Sequence, residues 1–231
     1  MTVLDSSKKS LLKEVAIAVT LLGFLIALVA KTAPLLGLES IVTAMAGIIL
    51  IFIPVFILDR KGKPYKKYGL TFSSPLKDLP VVFTISLVTW TPIVIFIFIF
   101  PALWGLKNAF FSLDNFKASH NLLQSSAVHL FIVAIPEEFF YRGYLLGRFD
   151  EIFTSRKKIL GVETGPGLYI SSLLFAIGHF IIIPEPSRLL VFFPSLVFGW
   201  LKYRQKDINS SVMYHGGSNI FMNIFRTGLG L

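Results

Sequence analysis

Two adjacent glutamates and an arginine, Glu137, Glu138 and Arg142, interrupt an otherwise apolar run in the stretch PEEFFYRGYLL. On a mild insertion scale an ionised group at the centre of an isolated membrane helix costs ~2.5–3.5 kcal/mol, so such residues mark function or a built-in partner. Glu138 and Arg142 are four apart and share a helical face, which allows an ion pair in which each offsets the other's burial. Glu137 points about 100° away and has no partner on its own helix. An unpaired carboxylate in apolar surroundings suits a general base or acid.

Two of the four histidines, His179 in SLLFAIGHF and His215 in MYHGGSNIF, also fall inside apolar runs. Phe175 stands one turn before His179, and Asn219 lies four residues after His215 on the same face. Gly178, Gly216 and Gly217 permit close helix approach. The set supports Glu137 and His179 activating a water that attacks a peptide carbonyl. His215 and Asn219 then donate hydrogen bonds to the developing oxyanion. Two histidines and a glutamate are also a zinc set of metallopeptidases. HExxH is absent, and Asn219 is a poor zinc ligand but a good oxyanion donor, which favours the metal-free version. No serine sits in a nucleophile-elbow context, and a serine mechanism would leave the glutamates unused. His129 and His120 are placed at the membrane interface.

The elements that position these groups follow from composition. Of 231 residues 54% are hydrophobic and 15% charged, which indicates an all-α, polytopic transmembrane helix bundle. Seven apolar runs, at about 15–30, 41–58, 80–103, 127–147, 166–183, 189–203 and 208–225, are the expected spans, with Pro92 inside the third. The run at 15–30 follows lysines but lacks a small-residue cleavage pattern, so a retained helix is expected rather than a signal peptide. Residues 104–126 read as an interfacial connection.

The net charge of +9 lies in short clusters between the runs, where a positive-inside bias places it, and not in a nucleic-acid-binding stripe. This orients the N-terminus inside and the C-terminus outside, with KGKPYKK along the anionic inner leaflet. Residues 1–125 form the N-terminal helices with their basic loop and interfacial connection, and 126–231 the catalytic core of a single bundle. Cysteine is absent, so neither disulfides nor thiolate chemistry enter.

EEFFYR at 137–142, FAIGH at 175–179 and HGGSN at 215–219 resemble the EExxxR, FxxxH and HxxxN motifs of the CAAX protease and bacteriocin-processing family, in that order and on successive spans. The resemblance implies a glutamate-dependent intramembrane endopeptidase with Glu137 as base, His179 as its partner and His215 with Asn219 as the oxyanion site. Glu138 and Arg142 would support the fold. It further implies a substrate tethered to the membrane or lipid-modified, cut near its C-terminus, and suits the plasma membrane of a prokaryote. Some branches of that family are immunity or scaffold proteins, and this non-catalytic role is the alternative. A proton-coupled transporter would also use buried carboxylates, but inverted repeats and paired broken helices are not found.

Overall fold

A computed structural model describes residues 3–38, 41–71, 75–104, 111–112 and 122–229. Each of the seven apolar runs lies on a helix. The helices are α1 (Val3–Thr32), α2 (Val42–Arg60), α3 (Leu79–Ile99), α4, α5 (Gly167–Ile182), α6 (Phe192–Gln205) and α7 (Asn209–Leu229). Here α4 is a continuous rod built from Leu122–Ala127, Val128–Ala134, Ile135–Glu138, Phe139–Leu145 and Leu146–Ile152. The expected interfacial connection falls mostly outside the described residues, as do His120 and Lys117.

Three helical stretches, Ser6–Leu36, Val42–Arg60 and Leu76–Ile99, are long and apolar enough to cross a membrane, and α5 is apolar but shorter. α2 and α3 expose Ile48, Phe52, Phe56, Phe83, Leu87 and Val88, the pattern of helices surrounded by lipid rather than water. The chain is an integral membrane protein. α4 and α7 are more polar because they carry the charged and amide groups of the candidate site. Pro54 and Pro92 lie within α2 and α3 without ending either helix.

A feature the apolar pattern does not announce is a short antiparallel hairpin between α4 and α5. Its strands are β1 (Lys157–Ile159) and β2 (Val162–Thr164), with Lys158 opposite Glu163.

The core runs through the whole bundle. Val15, Ala18 and Leu22 of α1 and Leu50 and Ile53 of α2 join one cluster with Phe140 and Leu145 of α4, Phe175 of α5, Phe198 of α6 and Val212 of α7. The basic end of α4 is fastened by a polar network. Fully buried Arg148 pairs through Nε with Glu14 of α1 at 2.8 Å and donates from Nη1 to Tyr68 at 2.8 Å. Tyr68 in turn donates to Glu151 at 2.8 Å. Its ring lies flat enough on α4 that a Cβ on Gly147 would come within 2.5 Å of it. Because hydrogen bonds pin that ring at its far end, Gly147→Ala is expected to lower stability by about 1–3 kcal/mol. Thermal unfolding in detergent checks this, and an unchanged midpoint would show that the ring can move.

Candidate active site

Glu137 and Glu138 occupy a four-residue α-helical segment between two π-helical stretches, Val128–Ala134 and Phe139–Leu145. Wide turns of this kind concentrate at functional sites, because they re-aim side chains within a helix that stays continuous. Pro136 supplies part of the cause, since it has no N–H to give to the carbonyl of Ile132. That carbonyl faces Gly47 of α2, where a Cβ would lie only 2.9 Å away, so the glycine lets α2 approach the glutamates closely.

The expected pairing of Glu138 with Arg142 is present, with Arg142 Nη1 at 3.1 Å from Glu138 Oε1 and both side chains at most 1% exposed. The rest of the arginine's environment comes from other helices. Nη2 donates to the hydroxyl of Ser195 on α6 at 2.6 Å and to its carbonyl at 3.3 Å. The guanidinium also lies over the rings of Phe175 at 4.4 Å and Phe198 at 4.9 Å, a cation–π contact strengthened by desolvation.

Glu138 has a second partner. His215 Nδ1 donates to Glu138 Oε1 at 2.8 Å, and the imidazole is stacked on Phe198 with centroids 4.6 Å apart and 12° between planes. With Nδ1 committed, Nε2 is aimed at Glu137, whose Oε2 is 3.7 Å away. This distance is beyond a hydrogen bond. Glu137 Oε2 is buried and has no hydrogen-bond partner among the described residues, a situation that costs about 1–3 kcal/mol for a buried acceptor.

His179 reaches the same region from α5. Its Nδ1 lies 3.0 Å from the carbonyl of Phe175, so an Nδ1–H donated there leaves Nε2 as the free ring nitrogen. Phe175 therefore contributes its backbone as well as its ring, whose centroid is 4.3 Å from that of His179. The structure shows no direct contact between Glu137 and His179. The two share a cavity of about 110 Å³, walled by Leu22 of α1, Leu50 of α2, Phe140 of α4 and Leu174 of α5. His179 also borders a second cavity, of about 230 Å³, into which His215, Ser218 and Asn219 of α7 and Trp90 of α3 open. His179 thus stands between an apolar chamber holding Glu137 and a more polar one holding the amide.

The glycines behave as close-contact positions. A Cβ on Gly178 would meet the Tyr141 hydroxyl at 2.8 Å, and one on Gly216 would meet Leu130 at 2.7 Å. Sequence reasoning missed Phe198 and Trp90, and it weighed Ser195 only as a nucleophile. Ser195 and Gly199 are small residues one turn apart, a recognised mark of close helix packing, and that signal was available. His129 is partly buried on α4. Among the described residues no group of three or more His, Cys, Asp or Glu side chains converges as a metal site.

Residues 119–221 match the family model of Rce1-like proteins, described as type II CAAX prenyl endopeptidase Rce1-like. That stretch is similar to the type II CAAX prenyl endopeptidases over 103 of the 231 residues. It contains Glu137, Glu138, Arg142, Phe175, His179, His215 and Asn219. α1, α2 and α3 lie outside the match, yet α1 and α2 wall the cavity in which Glu137 sits. No curated protein and no solved structure gives a significant match to the chain.

Proposed function

We propose that the chain is an intramembrane endopeptidase in which Glu137, with His179, activates a water for attack on a peptide carbonyl. The observation that carries this reading is the buried, unpartnered Oε2 of Glu137 facing His215 Nε2 across 3.7 Å. Glu138 Oε2 and both oxygens of Asp78 are also buried without a hydrogen bond among the described residues, and what sets Glu137 apart is that it lines a cavity together with His179.

The groups divide the work by their hydrogen bonds. Glu137 takes a proton from the water as its oxygen bonds to the carbonyl carbon, and His179 Nε2, left as an acceptor, orients that water. Asn219 donates its amide N–H to the oxyanion that forms. His215 as imidazolium, held through Nδ1 by Glu138, donates from Nε2 to the same oxygen. Collapse of the tetrahedral intermediate breaks the C–N bond, and the proton held by Glu137 passes to the leaving amine.

The apolar chamber beside Glu137 fits an apolar part of the substrate, and the polar chamber beside Asn219 fits its peptide backbone. The substrate is accordingly a membrane-tethered or lipid-modified protein cut near its C-terminus, in the plasma membrane of a prokaryote, with the N-terminus of this chain inside. Zinc is the competing means of water activation. Among the described residues no three His, Cys, Asp or Glu side chains converge as a ligand set for it.

The test uses purified protein and a peptide carrying an isoprenylated cysteine followed by three residues. Release of the three residues, persisting in the presence of 1,10-phenanthroline and lost in His179→Ala, is the expected result. Release abolished by the chelator and restored by zinc overturns the metal-free mechanism. Cleavage only of an unmodified anchor-type peptide moves the substrate from a lipid-modified protein to a membrane-tethered one.

A further inference from the structure

On the other side of α5 and α6 from the glutamates, the β1–β2 hairpin borders a larger cavity of about 430 Å³. Val88 of α3, Leu168 of α5 and Val197 and Trp200 of α6 give it apolar walls, while Leu160 of the hairpin and Arg204 of α6 stand at its edge. The hairpin is tied to this place by its neighbour, since Trp200 Nε1 donates to the carbonyl of Ile159 at 2.9 Å.

Two features of the hairpin are unfavourable in water. Leu160 and Gly161 form its two-residue turn with φ of 48° and 79°, a conformation that prefers Asn or Gly to a leucine at the first position. The Leu160 side chain is 85% exposed. An apolar tip on a turn that disfavours it, beside the exposed Lys157 and Lys158, is the pattern of a segment seated in the headgroup region of a bilayer.

The charge at the mouth of the cavity narrows the occupant. Arg204 is exposed, lies 5.5 Å over the ring of Trp200 and makes no ion pair among the described residues. Glu163 opposes Lys158 across the hairpin, leaving Lys157 and Arg204 as cations without an acidic neighbour opposite them. A neutral lipid would fill the apolar walls and leave Arg204 unused. A soluble anion would engage Arg204 and leave the walls empty. One molecule with an acyl chain and a phosphate of net negative charge satisfies both, since the ammonium of a zwitterionic phospholipid would offset its phosphate beside Arg204 and Lys157.

We infer that this cavity binds a single anionic glycerophospholipid, with an acyl chain between α3, α5 and α6 and its phosphate on Arg204. The site is separate from the candidate active site, and the inference does not depend on the proposed protease activity. Lipid binding there holds the hairpin against α6 and fixes the depth of the α4–α5 connection in the bilayer.

Native mass spectrometry of the intact chain in detergent, titrated with phosphatidylglycerol or phosphatidylcholine of matched acyl chains, tests the assignment. Wild type is expected to retain phosphatidylglycerol in preference. Arg204→Ala should weaken that retention about fivefold, the weight of one basic residue at an anionic headgroup, and leave phosphatidylcholine unchanged. Val197→Trp, which fills the cavity, should lower both. Equal retention of the two lipids by wild type, or unchanged phosphatidylglycerol binding in Arg204→Ala, overturns the site. Displacement of the lipid by an isoprenylated peptide at lower concentration would assign the cavity to the substrate instead. Because Arg204 is exposed and makes no ion pair among the described residues, its variant folds whatever the fate of the cavity-filling one.

Discussion

Glu137→Gln is expected to abolish cleavage and to leave the bundle folded. The rate loss expected from removing a positioned general base is ~10²–10⁴-fold. Gln has nearly the same shape as Glu, so the wall of the apolar chamber stays filled. The substitution removes no hydrogen bond from Oε2, which has none among the described residues, and it takes a buried charge out of the protein. The thermal midpoint is therefore expected to be unchanged or slightly higher. Measured together, lost activity and retained stability separate catalysis from packing. If Glu137→Gln kept full activity, the role given to this residue would be wrong. If it left an immunity or assembly phenotype intact while no cleavage was ever detected, the non-catalytic reading would replace the enzyme.

Glu138→Ala has the opposite signature, with folded protein lost before activity can be read. Glu138 Oε1 holds two cationic or donor groups at once, Arg142 at 3.1 Å and His215 at 2.8 Å. Removing the carboxylate leaves the arginine, 1% exposed, without a counter-charge, and breaking a buried pair in this way costs about 3–5 kcal/mol. His215 loses the bond that fixes its ring, so the fraction that still folds should also be inactive. The checks are the yield of monodisperse protein and its thermal midpoint. Glu138→Gln should recover part of the yield, because an amide oxygen still accepts from His215 Nδ1, but not the wild-type midpoint. A Glu138→Ala protein as stable as wild type would mean that the network of α4, α6 and α7 is not what holds the site together.

The contrast between these variants shows what local sequence carried and what it did not. The spacing of Glu138 and Arg142 was legible because both lie on one helix, where a four-residue separation places side chains together. The seven helices were legible because a bilayer-facing helix must be apolar along its length. The bond between His215 and Glu138 joins residues 77 apart in sequence, and no periodicity reports which helices meet. For the same reason the spacing leaves Glu137 unpaired within α4 but does not report that His215 Nε2 stands 3.7 Å from its Oε2. Ser195, weighed from sequence only as a nucleophile, receives the Arg142 guanidinium. The hairpin escaped notice because KKILGVET lacks the Asn-Gly or Asp-Gly turn that usually announces one. The π-helical stretches of α4 follow from packing against α2 and from Pro136, and the apolar pattern alone reads as one regular helix.

The most direct test that this chain cuts peptide bonds through Glu137 does not depend on which protein is the substrate. Protein N- and C-termini are compared by mass spectrometry in membranes from cells carrying wild type or Glu137→Gln, at matched levels of folded protein. New termini present only with wild type, at a position next to a membrane anchor or a lipidated cysteine, are the predicted result. Identical sets of termini with both proteins folded would contradict the account.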